Sequence, residues 1–138
     1  CDALKANELN ELAVTGGYEK GEQEDIASIG KGISGNKGRV HVSFGEPLGD
    51  GFENAAQVAA EIDRQIIDQY CLHPTNLYAY DMLYGEHAPK PENLYLEEGD
   101  CSRAEFEQRI NALPEAHRPF ALAIYANAVA SKMDQAAD

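Results

Sequence analysis

One stretch of the chain alternates. Val40, Val42 and Phe44 are apolar, and His41 and Ser43 between them are polar. Period two with β-branched and aromatic residues predicts a half-buried strand over 39–45. The Gly35-Asn36-Lys37-Gly38 run before it is turn chemistry. Gly45 and Pro47 end it, because proline donates no ladder hydrogen bond and restricts the residue before it.

Elsewhere the periodicity is helical. Asp2 can cap a helix from Ala3 to about Ala13, with Leu4, Leu9 and Leu12 as its apolar set and Gly16-Gly17 as its stop. Glu22 to about Ile33 carries Ile26, Ile29 and Ile33 on one stripe, and its acidic first turn and Lys31 suit the helix dipole. Glu53 to about Leu72 is the strongest pattern. Phe52, Ala55, Ala56, Ala59, Ile62, Ile66 and Tyr70 form a continuous apolar face. This helix is expected to supply the main core surface, so that Ile62→Ala or Ile66→Ala would cost about 2–5 kcal/mol. After His73-Pro74, Thr75 can cap a shorter helix, Asn76 to Tyr84. Ser102 with Glu105 makes a capping box for a helix to about Ala112, and Pro119 opens a last one to about Met133. The predicted class is mostly helical with one clear strand, the end of an α/β sheet. The Pro-containing loop Gly85 to Pro91 is the expected internal boundary, dividing residues 1–84 from a helical extension, 85–138.

Composition narrows the function. The 138 residues suffice for one modest domain, and the net charge of −13 argues against nucleic-acid binding, which draws on basic patches. Residues 1–49 hold eight acidic and five basic side chains, whereas residues 50–138 hold sixteen and six. The later half is therefore read as a solvated acidic surface. Cys1, Cys71 and Cys101 show no C-x-x-C spacing, which disfavours a disulfide framework or a zinc site and suits a reducing compartment. No cofactor or metal is expected. The longest apolar run, Phe120 to Ala130 interrupted by Asn127, is about half of a bilayer span. Cys1 in place of an initiator Met is read as the start of a piece of a longer protein, or of a processed form of one.

Several phrases together resemble a known family. They are Cys1-Asp2-Ala3-Leu4-Lys5-Ala6-Asn7-Glu8-Leu9, Tyr18-Glu19-Lys20-Gly21, Glu24-Asp25-Ile26, Gly32-Ile33 and, above all, Lys37 through Leu48 with Phe44-Gly45-Glu46-Pro47-Leu48. They look like the later part of the bacterial glycerolphosphate and lysophosphatidic acid acyltransferases. The resemblance covers residues 1–50 and extends less closely to 84; nothing in 85–138 takes part. It implies an α/β catalytic domain in the parent, peripheral on the cytoplasmic side of the inner membrane. It implies acyl transfer from acyl-CoA or acyl carrier protein to a glycerophosphate-like hydroxyl. The family's catalytic His-x-x-x-x-Asp, a general base with its orienting carboxylate, and its phosphate-holding Glu-Gly-Thr-Arg normally lie upstream of the matched segment. Neither motif occurs in this chain, so no catalytic residue is assigned and the segment alone is expected to be inactive.

The candidate side chains each have a plainer reading. His41 and His87 precede Glu46 and Glu92 at the family's spacing, but one lies on the predicted strand and the other in a proline-rich loop, so coincidence is the reading kept. Lys31, Lys37 and Arg39 are the one local basic cluster. Lys37 and Arg39 are the substrate-binding candidates, able to meet a phosphate or anionic head group, against the plainer reading of a helix end and a solvated turn. His73 and His117 read as helix-edge residues, and Tyr70, Tyr78, Tyr80 and Tyr84 as packing. The competing class is a non-catalytic helical interaction or regulatory module.

Overall fold

The computed structural model describes residues 2–35, 38–91 and 101–137. Among them are six α-helices: α1 Asp2–Thr15, α2 Glu24–Ser34, α3 Ala55–Asp68, α4 Pro74–Tyr84, α5 Arg103–Asn111 and α6 Arg118–Ala137. A 3-10 turn, Glu115–His117, leads into α6. No described helix is long and apolar enough to cross a membrane.

Local chemistry sets the helix ends. Asn54 caps α3, its side chain accepting from the Gln57 N–H at 3.0 Å. The predicted capping box of α5 is present: the Ser102 N–H donates to Glu105 Oε2 at 2.8 Å, and the Glu105 N–H donates to Ser102 Oγ at 3.3 Å. At α4 the expected cap, Thr75, is not the one used. Pro74 takes the first helical position, and Asn76 reaches back to accept from the His73 N–H at 2.7 Å. Arg118 donates to the carbonyls of Leu113 and Asn111, both at 3.0 Å, covering acceptors left over where α5 ends.

The core sits where α4, α5 and α1 meet α6. Its buried side chains are Leu72, Ala79, Tyr80, Phe106, Ile110, Ala121, Leu122, Ala126, Val129 and Ala6. Four alanines at these crossings allow close helix approach, and Phe106 fills the space between. Its ring meets Tyr125 edge-on at 5.2 Å and Tyr78 at 6.2 Å. Arg109 lies 5.3 Å from the Phe106 ring centre and 5.5 Å from that of Tyr125. One core thus draws side chains from both sides of residue 85. The 85–91 loop is drawn onto α4 by Asp81, which pairs with Lys90 at 2.6 Å and with Arg103 at 3.4 Å.

Two expectations fail here. The strand over 39–45 is not formed: residues 38–49 have no regular secondary structure, and β pairing among the described residues is limited to an isolated bridge at Leu72. A strand exists only where a neighbour accepts and donates its backbone hydrogen bonds, and the described residues supply no ladder to this arm. Nor does α3 carry the core. It has no buried residue, and Ile62 and Ile66 are 40% and 48% exposed. α3 rests on the C-terminal half of α6 through polar contacts instead. Gln135 donates to Asp68 Oδ1 at 2.9 Å, and Lys132 to the Asp68 carbonyl at 3.3 Å.

α1 is fastened to α6 by a partly buried polar clamp. Tyr125 donates to Asp2 Oδ2, and Arg109 donates to Tyr125 Oη at 3.2 Å. Burial, then the Asp2 carboxylate, pushes the Tyr125 phenol well above its usual range. Burial opposes charge on Asp2, but hydrogen bonds from Tyr125 and the Ala3 N–H, together with Arg109, outweigh it and hold its pKa below the ordinary 3.8. A carboxylate held low in the folded state stabilises above its unfolded pKa and loses that contribution as pH falls through the folded one. Tyr125→Phe is therefore expected to lower the urea midpoint at pH 7. It should lower it less and less as pH falls below 3.8, as Asp2 takes up its proton and the Tyr125 bond to a charged carboxylate is lost. An equal loss at every pH would place the effect in packing alone.

Candidate functional site

The arm 38–48 and α3 enclose a cleft of about 500 Å³, within the usual size range of small-molecule sites. The side chains alternate over 40–45, and beyond it Glu46 and Leu48 also line the cleft. His41, Ser43 and Gly45 point at α3, while Val40, Val42 and Phe44 point outward and are 72%, 66% and 88% exposed. The alternation read from sequence is real, but its sense is reversed: the polar side lines the cleft, while both sides of the arm stay exposed. Gly45 passes close to α3: a side chain there would meet the carboxamide at the end of the flexible Gln65 side chain. Ser43 Oγ reaches towards the Gln69 carbonyl at 3.5 Å.

The floor is apolar, with Leu48 from the arm and Ile62 and Ile66 from α3; Tyr70 and Cys71 continue it towards α4. The rim is polar, with His41, Ser43, Glu46, Gln65, Gln69 and His73. His41 Nε2 lies 3.0 Å from Ser43 Oγ, a pairing in which either atom can donate according to the imidazole tautomer. Such a pair can pass a proton or orient a ligand hydroxyl or carbonyl. Along α3, Arg64 bridges Glu61 and Asp68, with 2.7 Å and 2.6 Å contacts. Hydrogen bonds from Arg64 and Gln65 pull the Glu61 carboxyl down to about 2, so it stays charged.

The sequence candidates are placed unevenly. His41 and Glu46 do share the cleft, yet it is Ser43 that His41 meets at hydrogen-bond distance there. Arg39 is exposed at the start of the arm and does not line the cleft, and Lys37 lies outside the described residues. Lys31 is exposed in the last turn of α2. His87 is exposed in the 85–91 loop, and Glu92 is outside the described residues. Tyr80 is buried and its ring lies 4.7 Å from that of Tyr84. Among the described residues no three of His, Cys, Asp and Glu converge as metal ligands. Sequence reasoning passed over Ser43, Gln65, Gln69 and Cys71. Only the odd-numbered register shared by His41, Ser43 and Gly45 could have grouped some of them. No family model, characterised protein or solved structure matches the chain.

Proposed function

We propose that this chain is the late portion of an acyltransferase of glycerolphosphate type, moving an acyl group from acyl-CoA or acyl carrier protein to a glycerophosphate-like hydroxyl. The observation that carries the reading is that His41, Ser43, Gly45, Glu46 and Leu48, from the longest phrase of the resemblance, line the cleft. An apolar floor beneath a hydrogen-bonding rim suits a substrate with a hydrocarbon tail and a polar ester or thioester group. In this reading Lys37 and Arg39 lend positive charge to the acceptor phosphate, 39–45 is a strand of the parent's α/β sheet, and the parent works peripherally on the cytoplasmic side of the inner membrane. The general base and its carboxylate come from a His-x-x-x-x-Asp outside this chain.

Residues 1–138 alone, assayed for thiol release from acyl-CoA with a glycerophosphate acceptor, should give only background. The residues encoded immediately before Cys1 are the decisive companion observation. A His-x-x-x-x-Asp followed by a Glu-Gly-Thr-Arg-like motif supports the reading, and a start codon at Cys1 ends it. Turnover by 1–138 itself that is lost in His41→Ala would move the chemistry into the cleft. A second reading, a helical interaction module, is favoured by α2, whose Ile26, Ile29 and Ile33 are 72%, 62% and 74% exposed. Such a module would give no turnover with any upstream segment.

A further inference from the structure

The lining of the cleft is rich in acceptors and carries negative charge. Glu46 brings a carboxylate, and among the described residues the lining holds no lysine or arginine. No ion pair to Glu46 forms among the described residues either. Gln65 donates from Nε2 to Glu61 at 2.8 Å, so its Oε1 is the atom that lies beside Gly45 on the cleft wall. The Glu61 carboxylate only accepts, and this fixes the orientation of the carboxamide. The Gln69 carbonyl, approached by Ser43 Oγ at 3.5 Å, is a further acceptor. Donors in the lining such as Ser43 Oγ and the Gln69 carboxamide are neutral. Behind the wall, Glu61, Asp63 and Asp68 of α3 outnumber Arg64, which is already held by Glu61 and Asp68.

An anion entering this cleft meets oxygens where it needs N–H groups, and a carboxylate of its own sign. A primary ammonium group is the complement: it carries three donors, no acceptor and one positive charge. Beneath the rim, Leu48, Ile62 and Ile66 are part exposed, ready for a hydrocarbon body to cover. Tyr70 adds an aromatic ring, a surface that attracts cations. We infer that the cleft binds an aliphatic primary amine. Its ammonium meets Glu46 and the acceptors of Gln65 and Gln69, and its chain lies on Leu48, Ile62 and Ile66. Such binding depends on the lining alone and not on the acyltransferase reading.

Octylamine, octanol and sodium octanoate each have eight carbons and differ in the charge of the head. Each is titrated into residues 1–138 at pH 8, where a primary amine is charged, and the methyl resonances of Leu48, Ile62 and Ile66 are followed by NMR. Octylammonium is expected to shift them saturably. It should bind at least about ten-fold tighter than octanol, the worth of one charge-assisted hydrogen bond, and octanoate should bind more weakly than octanol. Glu46 is an exposed residue in a segment without regular secondary structure, so the helical circular dichroism of Glu46→Gln should stay unchanged. This variant should bring octylammonium down to the affinity of octanol and leave octanol as it was. Octanoate binding as tightly as octylammonium would overturn the inference. So would a preference for octylammonium that survives Glu46→Gln, the sign of general attraction to an acidic chain, or methyl resonances that octylammonium does not move.

Discussion

Phe106→Ala is expected to remove about 3–5 kcal/mol of stability, the usual cost of deleting a fully buried aromatic ring. Phe106 is completely buried between α4 and α6, with Tyr78 and Tyr125 against its ring and Arg109 over it. The void left by alanine cannot close easily, because the alanines around it already bring the helices near their closest approach. Small domains have about 5–15 kcal/mol in total, so the variant should lose a large share of its stability and unfold at a clearly lower urea midpoint. Phe106→Leu keeps most of the volume and should recover more than half of the loss. A urea titration showing Phe106→Ala within about 1 kcal/mol of the parent would mean that α5 is not clamped into this core.

Leu72→Ala should cost about 2–5 kcal/mol, while Ile66→Ala six residues earlier should cost about 1 kcal/mol or less. Sequence periodicity ranks the two the other way, since Ile66 lies on the strongest apolar stripe of the chain and Leu72 lies at its end. Leu72 is fully buried in the link from α3 to α4, in the same cluster as Ala79 and Phe106. Ile66 is 48% exposed on the floor of an open cleft. Removing its outer carbons returns little surface to water that was not already wet. Measured side by side by chemical denaturation, a larger loss for Ile66→Ala would place α3, and not the α4–α6 pair, at the centre of the fold.

Helix existence was legible because it depends on neighbours close in sequence. Ser102 and Glu105 make their box, Pro74 and Pro119 stand in first turns, and Gly16 and Gly35 follow helix ends as expected. The candidate site was only partly legible. His41 and Glu46 could be noticed by spacing, but the residues that complete the cleft come from α3 and the α3–α4 link. Their grouping depends on how the arm crosses α3. Thr75 against Asn76 at the start of α4 shows the same limit at short range: both side chains can cap, and Asn76 is held there partly because it also donates to the Tyr125 carbonyl at 2.8 Å on α6.

The sequence by itself determined the helical segments, their stops and the alternation of 40–44, because turn residues, caps and periodicity act within a few positions of the chain. Only the tertiary structure decided which apolar faces are covered. The stripes of α2 and α3 are as regular as any in the chain, yet Ile26, Ile29, Ile33, Ile62 and Ile66 remain exposed. A plainer mixture of alanine, aliphatic and aromatic residues, most of them on α4, α5 and α6, forms the core. An apolar stripe states that a face gains by leaving water; burial also requires a complementary surface at contact distance. For the arm that second condition reversed the outcome. The polar side, with His41, Ser43 and Gly45, lines the cleft, and Val40, Val42 and Phe44 face out.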